Sequence, residues 1–202
     1  MEYDFAHLIC FSPTHSSHMV GETIMRGLYV DNASETDLTY EGIGGILDIH
    51  KTITVIVVPV YGGRIAETAL ERMKNIHGYD SPAIPVVVYG NRDYDDALLE
   101  LRDWCSEHGF VPVAAAAFIG EHSYSRPDRP IAAHRPDEDD LQEALQFGQQ
   151  IRNNLLGMND LNTTGELKVK GNFPYKVKGP KTLQAPVTLA ELCTQCGFCI
   201  EI

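Results

Sequence analysis

Apolar runs rich in β-branched residues recur along the chain at His7 to Phe11, Ile53 to Val60, Ile84 to Tyr89 and Phe110 to Ile119. Their hydrophobicity is nearly continuous instead of alternating, the pattern of strands covered on both faces. A shorter, half-polar run from Asp37 to Tyr40 predicts one more strand, nearer an edge. Between the runs the period becomes helical. Val20, Ile24 and Leu28 fall on one face, as do Ile65, Ala69, Met73 and Ile76, then Leu98, Leu101 and Cys105. A last face carries Leu141, Ala144 or Leu145, Gly148, Ile151 and Leu155. Pro136 precedes that helix, and Asp137 to Asp140 fall in its first turn, where carboxylates cap free N–H groups and complement the dipole.

Alternation of strand and helix predicts an α/β fold, a doubly wound parallel sheet with right-handed crossovers and helices on both sides. Ligands of such sheets sit beyond the carboxyl ends of the strands. From Gly157 to Pro186 the periodicity is lost in favour of Gly, Pro, Asn, Thr and Lys. Residues 1–156 are therefore read as the globular domain, 157–192 as an extended connector, and 193–202 as a separate cysteine-bearing segment. Lys168, Lys170, Lys176, Lys178 and Lys181 can pin the connector on an acidic domain, meet an acidic partner, or simply be solvated. Solvation is the expectation.

A chain of 202 residues, 44% hydrophobic, is long enough to bury one sizeable core. Its net charge of −12 is uneven: residues 1–156 hold 11 Lys/Arg against 24 Asp/Glu, and residues 157–202 hold 5 against 4. An acidic domain disfavours nucleic acid and anionic membranes; its field either steers basic protein partners or only maintains solubility. The start of the chain is acidic and no apolar run is long enough to cross a bilayer, so a soluble, cytoplasmic protein is expected. Five cysteines, three of them in the last ten residues, do not form the framework of a secreted disulfide scaffold.

The candidate chemistry lies in the loops after the strands. Ser12-Pro13-Thr14-His15-Ser16-Ser17-His18 comes after the first strand and leads into a helix, offering hydroxyls, amides and a helix N-terminus to a phosphate, or serving only as a Ser/Thr cap. Pro59-Val60-Tyr61-Gly62-Gly63-Arg64 joins an aromatic ring to a pliable backbone, which suits a flat ring system; a plain Gly-Gly turn is the alternative. Tyr89-Gly90-Asn91-Arg92-Asp93-Tyr94-Asp95 repeats the combination after the fourth strand. Gly120 to Ser125 lies after the fifth, with His122 either a polar contact to the same pocket or a surface residue.

The run Leu8 to Ile24, with Ser12, Thr14 and Ser17 at their spacing, resembles the phosphate loop and first helix of flavodoxins. Together with the segments YGNRDY, PVYGGR, FIGEHSYS and RPDEDDL, it is similar to the flavodoxin half of bacterial fused flavodoxin–ferredoxin proteins, over residues 5–155. The resemblance implies a five-stranded sheet of order 2-1-3-4-5 with an irregular C-terminal extension, and FMN as cofactor. It implies that Ser12, Pro13, Thr14, His15, Ser16 and Ser17 surround the phosphate. Val60, Tyr61, Gly62 and Gly63 would lie along the isoalloxazine, with a carbonyl near Gly62 turning to the ring as it gains an electron and a proton, and Gly90, Asn91, Arg92 and Tyr94 would lie at its edge. The sequence departs from the family at His15, where flavodoxins usually carry Gly, and at Ser17, where they usually carry Thr. A histidine there predicts either a reshaped loop or an imidazole that itself touches phosphate.

Cys193-x-x-Cys196-x-x-Cys199 has the spacing of three ligands of a bacterial 4Fe-4S ferredoxin cluster, with a zinc half-site as the alternative. The sequence ends at Ile202 before a fourth ligand, so a cluster is expected only in a longer parent protein. The function implied is FMN-dependent electron transfer with redox partner proteins that present a basic docking face. The alternative is a flavin-dependent reductase of quinones or other small acceptors using NAD(P)H, although no segment marks a nicotinamide site. A thiol phosphatase is disfavoured because the loop after Cys10 lacks an arginine, and a receiver domain because no acidic cluster comes after the first strand.

Overall fold

The continuous apolar runs occupy the middle of one sheet, with backbone partners on both edges and helices on both faces. The computed structural model describes residues 3–161, 165–177, 179, 189 and 191–196. In chain order the elements are β1 (Phe5–Cys10), α1 (Ser16–Leu28), β2 (Asn32–Asp37), β3 (Leu47–His50), β4 (Ile53–Tyr61), β5 (Arg64–Ile65) and α2 (Glu67–Met73). They continue with β6 (Ile76–Tyr79), β7 (Pro82–Tyr89), α3 (Ala97–Glu107), β8 (Val111–Pro112), β9 (Ala116–Ile119) and α4 (Glu138–Gly157). The main sheet runs β2-β1-β4-β7, with β8 and β9 both parallel to β7 at the far side. With β8 and β9 as two pieces of one strand, this is the expected 2-1-3-4-5 order.

Alternate residues of each central strand feed two separate cores. Ile9, Ile56 and Val58 pack on one face with Ala69 and Met73 of α2 and Leu98, Leu101 and Cys105 of α3. Leu8, Val55 and Val57 pack on the other with Val20 and Ile24 of α1 and Ala144, Ile151 and Leu155 of α4. Helices α1 and α4 meet at two glycines: a Cβ on Gly27 would stand 2.3 Å from Leu145 O, and one on Gly148 would stand 2.3 Å from Ile24 O. Asp137 caps α4 in a reciprocal box with Asp140, as the acidic run predicts.

Three elements differ from expectation. The second strand is Asn32–Asp37 and not Asp37 to Tyr40. As an edge strand it needs only the backbone of β1 on one side, and His7 adds hydrogen bonds to Ser34 (2.7 Å) and Thr36 (2.9 Å), so no apolar pattern announces it. The run Phe110 to Ile119 is split, because its register on β7 slips by one residue between Ala83↔Pro112 and Val86↔Ala116, a bulge that takes up residues 113–115. Ile76 leaves the helical face on which periodicity puts it and opens β6, which pairs with β3 in a small parallel sheet.

In the connector, Lys170 and Lys176 depart from the expectation of solvation and follow the alternative of pinning it on the acidic domain. Residues 165–177 lie along α3 and the turn between β4 and β5, with Val169 packed on the core and Lys170 and Lys176 paired with Asp93 (2.6 Å) and Asp95 (2.8 Å). Lys178 and Lys181 lie outside the described residues.

Candidate functional site

Every loop singled out in the sequence emerges at the carboxyl edge of the sheet. After β1 the chain turns sharply: the His15 amide donates to Ser12 O (3.1 Å), and His15 takes φ 66°, the left-handed region that favours glycine. The loop is therefore not reshaped to avoid the side chain. The histidine accepts the glycine conformation and lays its ring on His18, with centroids 4.8 Å apart.

Ser12 organises the rest of the loop. Its amide donates to Thr39 Oγ1 (2.9 Å), and its hydroxyl accepts from the His18 amide (3.0 Å), while Met19 donates to His15 O (3.0 Å). Among the described residues, the amides of Thr14, Ser16 and Ser17 meet no acceptor. Three free N–H groups at the positive end of a 13-residue helix form an anion cradle, with Thr14 and Ser16 sharing a hydroxyl hydrogen bond of 3.1 Å at its mouth. Ser17 is buried at the base of the cradle, so its hydroxyl is not open at the mouth as those of Thr14 and Ser16 are. His18 Nε2 faces Glu35 at 3.0 Å, and its Nδ1 is buried with no partner among the described residues.

Beside this loop lies a cleft of about 500 Å³ lined by Val60, Tyr61, Gly62, Gly63, Tyr89, Gly90, Arg92, Asp93, His122, Ser123 and Tyr124. Gly120 lies between them: a Cβ there would stand 3.4 Å from Ser16 Oγ, and its amide donates to the carbonyl of Tyr89 (2.9 Å), which lines the cleft. Tyr61 is 49% exposed and Tyr124 77%, two aromatic faces open to the cleft region. Gly62 has φ 65° with open space where a side chain would be, so its peptide is free of steric restraint on that side. Gly90 is required for a different reason: a Cβ there would meet the His122 ring at 2.3 Å. His122 Nδ1 accepts from the Tyr124 amide (3.0 Å), which leaves the ring proton on Nε2.

Of the sequence candidates, Ser12 to Ser17 come together in one loop, and Val60, Tyr61, Gly62, Gly63, Gly90 and Arg92 share the cleft. Asn91 and Tyr94 do not line it. Asn91 forms the turn, with φ 58° and its amide on Tyr89 O (3.0 Å). Tyr94 packs edge-on against Tyr89 beneath the Lys170 ammonium. Sequence reasoning gave no role to Tyr89, Asp93, Ser123, Thr39 or Glu35; only their positions just after strands or on the edge strand marked them.

Burial pushes the Cys10 thiol far above its ordinary value, with Glu35 and Asp37 adding to the effect, so this cysteine is no nucleophile. Cys193 and Cys196 are exposed, and Cys199 lies outside the described residues. Among the described residues no group of three or more His, Cys, Asp or Glu side chains is placed to hold a metal, and no helix is long and apolar enough to cross a membrane.

No protein-family model and no curated protein matches the chain. Solved structures do. A flavodoxin from the domain Archaea aligns with a TM-score of 0.51 at 14% identity, over 75% of this chain and 98% of that one. The oxidised flavodoxin 1 of Bacillus cereus aligns with a TM-score of 0.52, also at 14% identity, over 71% of this chain and 93% of its own. The fold is flavodoxin-like.

Proposed function

We propose that this protein binds FMN and transfers electrons, with the phosphate in the β1–α1 cradle and the isoalloxazine in the adjoining cleft. The observation that carries the reading is the set of unpartnered amides at Thr14, Ser16 and Ser17 beside a cleft with two open tyrosines. The residues fit the group. A phosphate monoester needs donors, which the cradle supplies without a lysine, and about 500 Å³ is within the range of cofactor pockets. Bound FMN would supply reversible electron transfer.

The chain's own residues bind, orient and shield. The cradle amides and the Thr14 and Ser16 hydroxyls hold the phosphate, Tyr61 and Tyr124 offer apolar faces to a flat ring, and Gly62 leaves its carbonyl free to turn. Excess carboxylate over residues 1–156 disfavours added negative charge on a reduced flavin and steers partners with a basic docking face. In a longer parent protein, the segment bearing Cys193, Cys196 and Cys199 would carry an iron–sulfur cluster that exchanges electrons with the flavin, as in fused flavodoxin–ferredoxins.

Titration of FMN with purified protein tests the reading. We expect flavin fluorescence to be quenched with saturation at one FMN per chain, and quenching to weaken in Tyr61→Ala. Undiminished fluorescence at a large excess of protein overturns it. NAD(P)H oxidation with a quinone, expected to stay at background, separates a carrier from a reductase.

A further inference from the structure

We propose that residues 165–177 are a clamp on the flavin cleft and that Asp96 is the positioning residue through which the clamp acts, an inference that rests on the flavin reading above.

Asp96 stands at the N-cap of α3, where an aspartate ordinarily accepts from an amide of its own helix. It makes no such cap. Its carboxylate turns instead to the strap: Oδ1 accepts from the Asn172 amide (2.8 Å) and side chain (3.1 Å), and Oδ2 accepts from the Lys176 amide (2.6 Å). The residue is 3% exposed, so the strap replaces the water that an exposed carboxylate would have. Burial by itself would raise this carboxyl, but the bonds from Lys176 and Asn172, with the Arg64 charge, hold it below the ordinary value.

The same residue grips the cleft. Its amide donates to Gly63 O (3.0 Å), and Gly63 lines the cleft. One residue thus joins the β4–β5 turn, the β7–α3 loop and the strap. Neighbouring carboxylates repeat the arrangement. Asp93, also in the cleft wall, pairs with Lys170. Asp95 lies over Gly63, where a Cβ would meet its Oδ2 at 2.2 Å, and is held by Lys176 Nζ (2.8 Å). The strap is seated by its own fit: a Cβ on Gly171 would stand 2.4 Å from Leu99 Cβ, and Tyr175 donates to Asp103 (2.5 Å) beneath the Arg64 guanidinium. A polar segment with this many partners on one loop does more than connect. It fixes residues 90–96 and 62–63, the two stretches that shape one wall of the cleft.

The test uses the full chain and two measurements, amide hydrogen exchange without FMN and FMN affinity by fluorescence. Asp96→Asn removes the charge and sets an amide against the strap N–H groups; Lys176→Pro deletes two strap donors, the amide on Asp96 and the ammonium on Asp95, and leaves Asp96 itself intact. In both we expect exchange over residues 62–63 and 90–96 to quicken roughly tenfold, with β1 and β4 unchanged, and the FMN dissociation constant to rise roughly tenfold. Unchanged exchange in those stretches overturns the clamp whatever FMN does. Faster exchange with wild-type FMN affinity overturns the positioning role. If wild-type protein binds no FMN while the exchange difference holds, the flavin reading falls and the clamp on the loop stands.

Discussion

The β1–α1 loop and the strap of residues 165–177 are both irregular, both polar, and both set against the working side of the sheet, yet they are held in opposite ways. Loop partners are mostly near in sequence: His15 on Ser12, His18 on Ser12, Thr14 on Ser16. Strap partners lie far away, from 64 residues for Arg102 and Glu166 to 112 for Arg64 and Lys176 O. The loop is shaped by its own sequence and left with unsatisfied amides, which a ligand can use. The strap is shaped by another part of the molecule, through side chains and the Asn172 and Lys176 amides bound to distant carboxylates, and so serves to hold what it touches. Open amides at a helix N-terminus mark a binding element, and side chains engaged with distant partners mark a supporting one.

The largest effect that separates the two is expected at Glu100. This buried carboxylate takes both arms of Arg64 and the Ile65 amide (2.9 Å), and Arg64 in turn stacks on Tyr175 and donates to Lys176 O (2.8 Å). Glu100→Ala leaves the largely covered Arg64 guanidinium without its carboxylate, and should cost about 3 kcal/mol in urea unfolding. Thr14→Ala, in the exposed loop, should cost no more than about 0.5 kcal/mol. Equal losses at the two positions would erase the distinction between supporting and binding elements.

Acid should act on the strap before the loop. The folded carboxyl of Asp96 lies below its ordinary value of 3.8, so folding favours its ionised form. Its contribution is complete above that value and is lost as pH falls through the lower folded one. Asp140, held down by its hydrogen bond to Arg135, has the same sign. Stability of the wild type should therefore fall steeply below pH 3.8, and Asp96→Asn, lacking one such group, should show a shallower fall. Urea midpoints of both proteins at pH 5 and at pH 3 measure the difference; identical slopes would mean that the strap bonds do not depend on the charge of Asp96.

Legibility in the sequence divides along the same line. Strands β1, β4 and β7 and helices α1, α3 and α4 declare themselves through continuous runs or helical faces, and the Ser12 to Ser17 loop through spacing. Strand β2 does not, because Asn32 to Asp37 is an edge whose stability comes from the β1 backbone and from His7. Lys170 and Lys176 look solvated because nothing local says that Asp93 and Asp95 wait 77 and 81 residues upstream. Tyr94 reads as a flavin contact because an aromatic just after a strand suits that role, but an adjacent aromatic, Tyr89, and a distant cation, Lys170, claim its ring. Position relative to a strand end can be counted along a sequence; which side of the ring is already covered cannot.

The smallest effect sharpens the comparison from the loop side. His15 holds φ 66° at the one loop position whose turn calls for glycine, and its ring is exposed apart from the stack on His18. A Cβ in the left-handed region costs roughly 1–2 kcal/mol, whereas an exposed ring stack contributes less. His15→Gly should therefore stabilise the protein by about 1 kcal/mol, read as a higher urea midpoint with unchanged slope. The same change tests what the imidazole does for the ligand. If the histidine only tolerates the turn, FMN affinity holds or improves in His15→Gly. If the ring touches phosphate, affinity falls in His15→Gly, because the variant lacks the imidazole donor. A gain in stability joined to a loss of affinity would identify His15 as a residue kept in a strained turn for binding, the loop's counterpart to an Asp96 withheld from its own helix.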